Sequence, residues 1–265
     1  MREVKIKDIN VGSGSPVFVA GPCISESLDM LKKTAQLFED IKEKKSVQII
    51  MKISYDKANR TALDSYRGPG LEKGLEMITA IKAEFDLPVI VDIHCKTHVD
   101  EVSKVADCIQ IPAFLCRQTD LLIAAGSAGK PVNIKKGQFM SPWAMGQQAE
   151  KISLTSGAQV LLTERGTSFG YHELVVDMRS IIIMRNSGCP VLFDATHSQQ
   201  QPPVEHNVTK GRKEFIIPLA KAAMAVGADG IYCEVHPEPE EAESDRDTQL
   251  NFKEFEKLID EVSEV

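Results

Sequence analysis

The sequence predicts an α/β fold, a (β/α)8 TIM barrel preceded by a short N-terminal hairpin or arm. Three observations carry this. Short apolar runs alternate with amphipathic segments of helical spacing at a period of about thirty residues, the pattern of parallel strands joined by crossover helices. The alternation repeats eight times in a chain of 265 residues, which fits a closed barrel better than an open doubly wound sheet. The apolar runs also tend to stop at a group of polar side chains. No stretch is long enough to serve as a domain linker, so residues 1–265 are expected to form a single barrel domain, with 1–16 as the hairpin or arm.

Taken in order, residues 1–16 are short, alternating and polar. Strand 17–20 stops at Gly21-Pro22-Cys23. Helix 27–44 carries Leu28, Leu31, Ala35, Phe38 and Ile41 at helical spacing, with Ser25 or Ser27 as its cap. Strand 47–54 is rich in Ile and Val, and helix 71–85 follows it. Strand 88–93 ends with Asp92 and His94, before a short helix at 99–106. Strand 108–111 ends at Gln110 and Pro112, before a helix at 119–125 closed by Gly126. Strand 132–135 leads to Lys136-Gly137 and a helix at 144–156 closed by Gly157. Strand 160–162 ends in Thr163-Glu164-Arg165-Gly166, before a modest helix at 177–185. Strand 191–193 ends in Asp194-Ala195-Thr196-His197, before a strong helix at 214–226. Strand 230–233 ends in Glu234-Val235-His236-Pro237, and helix 252–262 closes the series. The first strand is not followed by a glycine-rich dinucleotide fingerprint; Gly12-Ser13-Gly14 precedes it.

Composition removes several classes. The formal net charge of −7 and the lack of a basic run argue against a nucleic-acid surface. No apolar stretch approaches the length of a membrane span. Met1-Arg2-Glu3-Val4-Lys5 lacks an apolar signal region. A cytoplasmic protein with neither nucleic-acid nor membrane partners is expected. The six cysteines (Cys23, Cys95, Cys108, Cys116, Cys189, Cys233) are scattered without a CxxC pair, as reduced thiols that mostly fill the core.

In such a barrel the carboxyl ends of the strands and the loops after them form one cup, where the chemistry sits. The strand ends bring Cys23, Lys52, Lys57, Asn59, Arg60, Asp92, Gln110, Lys135, Arg165, His197 and Glu234 to that face. Singly, each has an ordinary packing role; together on one face they are hard to obtain by packing alone. The densest stretch is Asp56-Lys57-Ala58-Asn59-Arg60-Thr61. Arg60 offers a planar fork for phosphate or carboxylate, Lys57 a point charge and Asn59 an amide that both donates and accepts. The bland alternative for six such residues is a solvated loop. Lys57, Arg60, Lys135 and Arg165 lack enough neighbouring carboxylates to cancel them all, so the cup should attract anions although the chain is acidic. Cys23, His197 and Glu234, with Asp245 after the eighth strand, suit a divalent transition metal such as Zn, Fe or Mn. A lone cysteine after a strand is more often a small apolar filler. The acidic run Glu238, Glu240, Glu241 and Glu243 reads as a solvated loop.

Several blocks, in order, resemble one family. They are Gly21-Pro22-Cys23, Asp56-Lys57-Ala58-Asn59-Arg60, Ile109-Gln110-Ile111-Pro112-Ala113-Phe114-Leu115-Cys116-Arg117-Gln118-Thr119-Asp120, Asn133-Ile134-Lys135-Lys136-Gly137-Gln138, Thr163-Glu164-Arg165-Gly166-Thr167, Asp194-Ala195-Thr196-His197-Ser198 and His236-Pro237-Glu238-Pro239. This set closely resembles the 3-deoxy-D-manno-octulosonate 8-phosphate synthases, from about residue 17 to the last helix. The resemblance implies a homotetrameric (β/α)8 barrel that condenses phosphoenolpyruvate with D-arabinose 5-phosphate. Inorganic phosphate is released, and the product feeds the inner lipopolysaccharide core of Gram-negative bacteria.

By the same resemblance, Lys57, Lys135 and Arg165 match positions that hold phosphoenolpyruvate, and Asn59, Arg60 and Thr61 those that hold the pentose phosphate. Thr61 stands where most members carry Ser. Lys52, Asp92, Gln110 and Gln200 join the substrate-binding set. Arg117 matches an arginine lent to a neighbouring subunit's site. Cys23, His197, Glu234 and Asp245 match the ligands of the metal-dependent branch; the other branch has Asn in place of this Cys. Lys57, Asn59, His197, Asp245 and Cys23 form the expected catalytic set. One region departs: residues 199–213 contain Pro202, Pro203 and a single glycine, Gly211, where a longer glycine-rich lid is expected. The sister enzymes that use erythrose 4-phosphate carry Pro-Arg where this chain has Ala58-Asn59-Arg60, so the loop favours the pentose.

Overall fold

A computed structural model describes residues 3–60, 62–201 and 210–264. Eight parallel strands close into a barrel: Val17–Gly21 (β1), Gln48–Ile53 (β2), Val89–Asp92 (β3), Cys108–Ile111 (β4), Val132–Lys135 (β5), Val160–Glu164 (β6), Val191–Asp194 (β7) and Gly230–Glu234 (β8). Each pairs with its neighbours in sequence, and β8 pairs with β1 to complete the ring. The helices between them are Leu28–Lys45 (α1), Leu71–Glu84 (α2), Val99–Val105 (α3), Thr119–Ser127 (α4), Pro142–Ser156 (α5), Arg179–Arg185 (α6), Ile216–Ala225 (α7) and Phe252–Ser263 (α8). Strands this short are buried on both faces, which is why they read as near-continuous apolar runs.

Local chemistry sets the helix ends. Of the two candidate caps of α1, Ser27 takes the role: its hydroxyl accepts from the Met30 amide at 3.1 Å, while Ser25 is buried. Lys42, Lys44 and Lys45 lie in the last turn, where they complement the helix dipole. A capping box between Asn251 and Glu254 opens α8, whose buried face is Phe255, Leu258, Ile259 and Val262. Several boundaries differ from the sequence reading, three of them for identifiable reasons. Gly126 does not close α4 but lies inside it, because a Cβ there would come within 2.9 Å of Ile152 on α5. Close helix approach, not chain reversal, explains this glycine. Helix α5 starts at Pro142, whose missing N–H costs nothing at a first turn. The segment expected as helix 214–226 opens with a 3-10 turn, Lys213–Phe215, before α7. Two-residue pairings of Thr167–Ser168 with Leu174–Val175, and of Gln200–Gln201 with Lys210–Gly211, had no sequence signal.

The expected hairpin is present, Val4–Ile6 paired antiparallel with Ile9–Val11. Val4, Ile6, Ile9 and Val11 are buried against Val17, Val19, Ile50, Ile90, Cys108, Leu161, Leu192 and Tyr232. These partners are strand residues that face the lumen, so the hairpin stoppers the amino end of the barrel. Strand side chains alternate, so two residues further along a strand the next side chain faces the same lumen. That rule carries Ile50 to Lys52, Ile90 to Asp92, Cys108 to Gln110, Leu161 to Thr163, Leu192 to Asp194 and Tyr232 to Glu234. One turn of the pleat therefore takes the lumen from apolar to polar. The outward-facing strand residues, Phe18, Ile49, Met51, Val91 and Ile109 among them, pack in a separate cluster with the helices. Among the described residues, no helix is long and apolar enough to cross a membrane.

Candidate active site

A belt of hydrogen bonds crosses the upper lumen. Thr163 Oγ1 donates to Asn133 Oδ1 at 2.8 Å, Asn133 Nδ2 to Gln110 Oε1 at 2.8 Å, and Gln110 Nε2 to Asp92 Oδ1 at 2.5 Å. Strand register makes this possible, since Asp92 stands opposite Gln110 and Gln110 opposite Asn133. The Lys52 ammonium continues the belt, 3.5 Å from Asp92 Oδ2, and donates to the Pro22 and Cys23 carbonyls at 3.2 and 2.8 Å. Burial pushes the Asp92 carboxyl up, but Lys52 and the other groups around it outweigh burial and hold it at about 2.

On the other side, the Lys135 ammonium is 2.5 Å from Asp194 Oδ2 and lies 3.9 Å above the Tyr232 ring centroid. Burial lowers its proton affinity against the pull of Asp194. His197 Nδ1 is 2.8 Å from the same Asp194 oxygen, and His197 Nε2 is 3.2 Å from Glu234 Oε1. Burial alone would raise the Asp194 and Glu234 carboxyls. His197 and the nearby lysines reverse this and hold both below the usual carboxylate range.

Arg165 is buried, and its Nη2 donates to Gln200 Oε1 at 2.9 Å. Among the described residues, its Nη1 has no hydrogen-bond partner. Burial pulls this guanidinium below its ordinary value. A buried donor left unpaired costs roughly 1–3 kcal/mol, so a site that keeps one is shaped for an acceptor from outside the chain. Of the four cations singled out from the sequence, Lys57 and Lys135 are matched by carboxylates. Arg60 spends its fork on Ser244 Oγ and on the Glu243 carbonyl, the latter at 3.1 Å.

Next to the belt, one sulfur and one oxygen each from Cys23, Glu234 and Asp245 lie within 4.8 Å of one another. His197 Nε2 reaches two of these residues, at 3.2 Å from Glu234 and 4.0 Å from Asp245. Asp245 adopts a left-handed backbone conformation with φ of 53°. Gln249 ties its loop to the first strand end, accepting from the Cys23 amide at 3.1 Å and donating to the Ser244 carbonyl at 2.7 Å. The thiol and the two carboxylates form the compact set, and the His197 imidazole stands beside it rather than within it; this donor chemistry fits Zn, Fe or Mn. Glu234 Oε2 is buried without a hydrogen-bond partner among the described residues, which supports that fit. The Lys57 ammonium stands in the set, 2.6 Å from Cys23 Sγ, 3.1 Å from Asp245 Oδ2 and 3.7 Å from Glu234 Oε1.

A cavity opens over these groups. Lys52, Lys57, Asn59, Asp92, Gln110, Lys135, Arg165 and His197 line it, with Pro112–Leu115 as one wall. Asn59 sits on the exposed rim. Arg60, Gln200, Cys23, Glu234 and Asp245 do not line it; Gln200 touches it through Arg165, and the other four are grouped around the loop at 243–245 or Lys57. Arg117 is exposed and outside it. Thr61, and Pro202 and Pro203 of the segment 199–213, lie outside the described residues. The sequence reading named Asp56 and His94 near strand ends without counting them in the cup, and missed Tyr232, Ser54 and Gln138 as lining residues. Tyr232 was within reach of it: it precedes Glu234 by two and so faces the same lumen.

A closed barrel whose strand ends gather lysines, an arginine and buried carboxylates around one cavity places the chain among the (β/α)8-barrel enzymes. Residues 2–265 match the DAHP synthetase I family, and the chain belongs to that family. It is 46% identical over 260 residues to the 2-dehydro-3-deoxyphosphooctonate aldolase of Syntrophotalea carbinolica, covering 98% of this chain and 94% of that one. The protein of the same name from Fusobacterium nucleatum is 47% identical over the same shares. That of Xylella fastidiosa is 49% identical over 243 residues, 91% of this chain and 88% of the relative.

Proposed function

We propose that this protein condenses phosphoenolpyruvate with D-arabinose 5-phosphate, giving 3-deoxy-D-manno-octulosonate 8-phosphate and inorganic phosphate. The observation that carries this is the cavity lined by Lys52, Lys57, Lys135 and Arg165, with Asn59 on its rim. Two phosphorylated substrates repel each other, and a buried cationic cup offsets that repulsion and fixes their approach. Lys57, Lys135 and Arg165 hold phosphoenolpyruvate, with Lys52, Asp92, Gln110 and Gln200 in the same substrate-binding set; Gln200 accepts from Arg165 and Lys52 pairs with Asp92. Asn59, Arg60 and Thr61 take the pentose phosphate. Carbon three of the enol attacks the aldehyde. Water adds at carbon two, and the hemiketal loses phosphate by carbon–oxygen cleavage. Cys23, His197, Glu234 and Asp245 would hold the divalent metal, which when bound supplies Lewis acidity. The Ala58-Asn59-Arg60 sequence favours the pentose over erythrose 4-phosphate.

The reading extends to a cytoplasmic homotetramer whose sites are completed by a neighbouring subunit, and to a place in lipopolysaccharide synthesis. Supporting it, Arg117 is exposed and does not line its own cavity. Phe114, Phe139, Trp143, Phe169 and Tyr171 are exposed on loops and a helix near the same end, and exposed apolar groups in number mark interfaces.

The test is phosphate release from phosphoenolpyruvate with either aldose, before and after a strong chelator. Arabinose 5-phosphate should drive release, the chelator should abolish it, and Zn, Mn or Fe should restore it. Cys23→Asn should leave a partly active enzyme that responds little to chelator. Release driven by erythrose 4-phosphate alone would assign the sister reaction. Undiminished release after verified metal removal would leave Cys23 as a core residue.

A further inference from the structure

We propose that the Lys57 ammonium and a divalent metal ion are alternative occupants of the Cys23–Glu234–Asp245 set, so that metal loading frees Lys57 for substrate and tightens phosphoenolpyruvate binding. This rests on the reading of the site given above and adds a coupling to it.

The geometry is exclusive. The three donor atoms lie within 4.8 Å of one another, and the ammonium approaches all three, at 2.6, 3.1 and 3.7 Å. An ion ligated by the same three atoms at ordinary bond lengths of about 2.0–2.3 Å must stand among them, where the ammonium already is. Two cations at that separation, inside a buried site, repel strongly. One must leave, and the divalent ion is the better partner for a thiolate and two carboxylates.

The consequence lies in the cavity. Lys57 lines it as well as touching the cluster. The other two lining lysines are already held: Lys52 by the Pro22 and Cys23 carbonyls and Asp92, and Lys135 by Asp194. While Lys57 compensates Asp245 and Glu234, its charge is unavailable to an anion. Once a metal ion takes that role, the cavity gains one uncommitted cation. Lys57 belongs to a loop whose next two residues, Ala58 and Asn59, are exposed, and the polar contacts of its ammonium are with the cluster itself. Binding linkage is reciprocal: whatever factor metal adds to phosphoenolpyruvate affinity, phosphoenolpyruvate adds to metal affinity.

Two titrations test this without measuring turnover. Zn2+ affinity is measured by competition with a chromophoric chelator, and phosphoenolpyruvate affinity by calorimetry on metal-free and Zn2+-loaded protein. Zn2+ should tighten phosphoenolpyruvate binding to the unmodified protein by about tenfold. Lys57→Met, which removes the competing cation, should bind Zn2+ at least about tenfold more tightly, and its phosphoenolpyruvate affinity should no longer depend on Zn2+. Lys57→Arg keeps a cation and should bind Zn2+ no more tightly than the unmodified protein, which separates competition from a general loosening of the site. If Zn2+ binds unmodified protein and Lys57→Met equally, the competition is overturned while the metal site stands. If Zn2+ binds neither, the metal reading falls and this inference with it.

Discussion

Ile50 and Lys52 sit two residues apart on β2 and face the same lumen, yet they belong to two different kinds of interior. Around Ile50 the barrel is an apolar plug of Val19, Ile90, Cys108, Leu161 and Leu192, covered from below by the hairpin. Around Lys52 every strand contributes a polar or charged group or a backbone carbonyl, and hydrogen bonds and ion pairs link them across strands. The lower layer lowers the free energy of the fold by removing apolar surface from water. The upper layer does so at most weakly, because desolvating paired charges costs about as much as their attraction returns. The comparison teaches that chemistry is placed where the fold can carry its cost, directly above the layer that supplies the stability.

The sharpest way to break this comparison is to remove a cation from the upper layer. Arg165→Leu should lose at least about a thousandfold in kcat/KM for phosphoenolpyruvate, roughly 4 kcal/mol of transition-state stabilisation. Its thermal midpoint should be no lower, because the substitution also removes an unpaired buried donor. Steady-state kinetics and calorimetry on the same preparation check both halves.

The reverse experiment acts below. Leu161→Ala should cost about 3 kcal/mol of unfolding free energy through lost burial and a residual cavity. Its Michaelis constants should not move. Urea unfolding beside kinetics measures this. A large kinetic effect would show that the two layers are not separable.

A smaller effect sharpens the account of the belt. Asp92 falls from its ordinary 3.8 to about 2 on folding. A carboxyl with a depressed folded value stabilises above its unfolded value, and that contribution is lost as pH falls towards the folded one. Between about pH 5 and about pH 3 this residue should lose about 1 kcal/mol of stabilisation. Asp92→Asn should therefore show a shallower fall in unfolding free energy over that range. Equal slopes would mean that the belt does not hold Asp92 ionised.

Much of the barrel was legible because strand period and polar strand ends are local signals. Lys52, Asp92, Gln110, Lys135, Arg165 and Glu234 announce themselves by ending apolar runs, and the structure brings all six to one end. Their pairings were not legible. That Lys57 meets Asp245 across 188 residues, or that Lys135 is matched by Asp194, follows from tertiary placement that no spacing encodes. The expectation that carboxylates are too few to cancel the cations proved right for Arg165 and Arg60 and incomplete for the two lysines. Gly126 misled for the same reason: a glycine required by a neighbouring helix looks, in one dimension, like a helix stop.

The most direct test of the division between the two layers is a calorimetric titration of phosphoenolpyruvate into Arg165→Leu and Leu161→Ala, at a temperature where both are folded. The account predicts that Leu161→Ala binds as the unmodified protein does and that Arg165→Leu shows no measurable binding. Comparable losses in the two variants would contradict it.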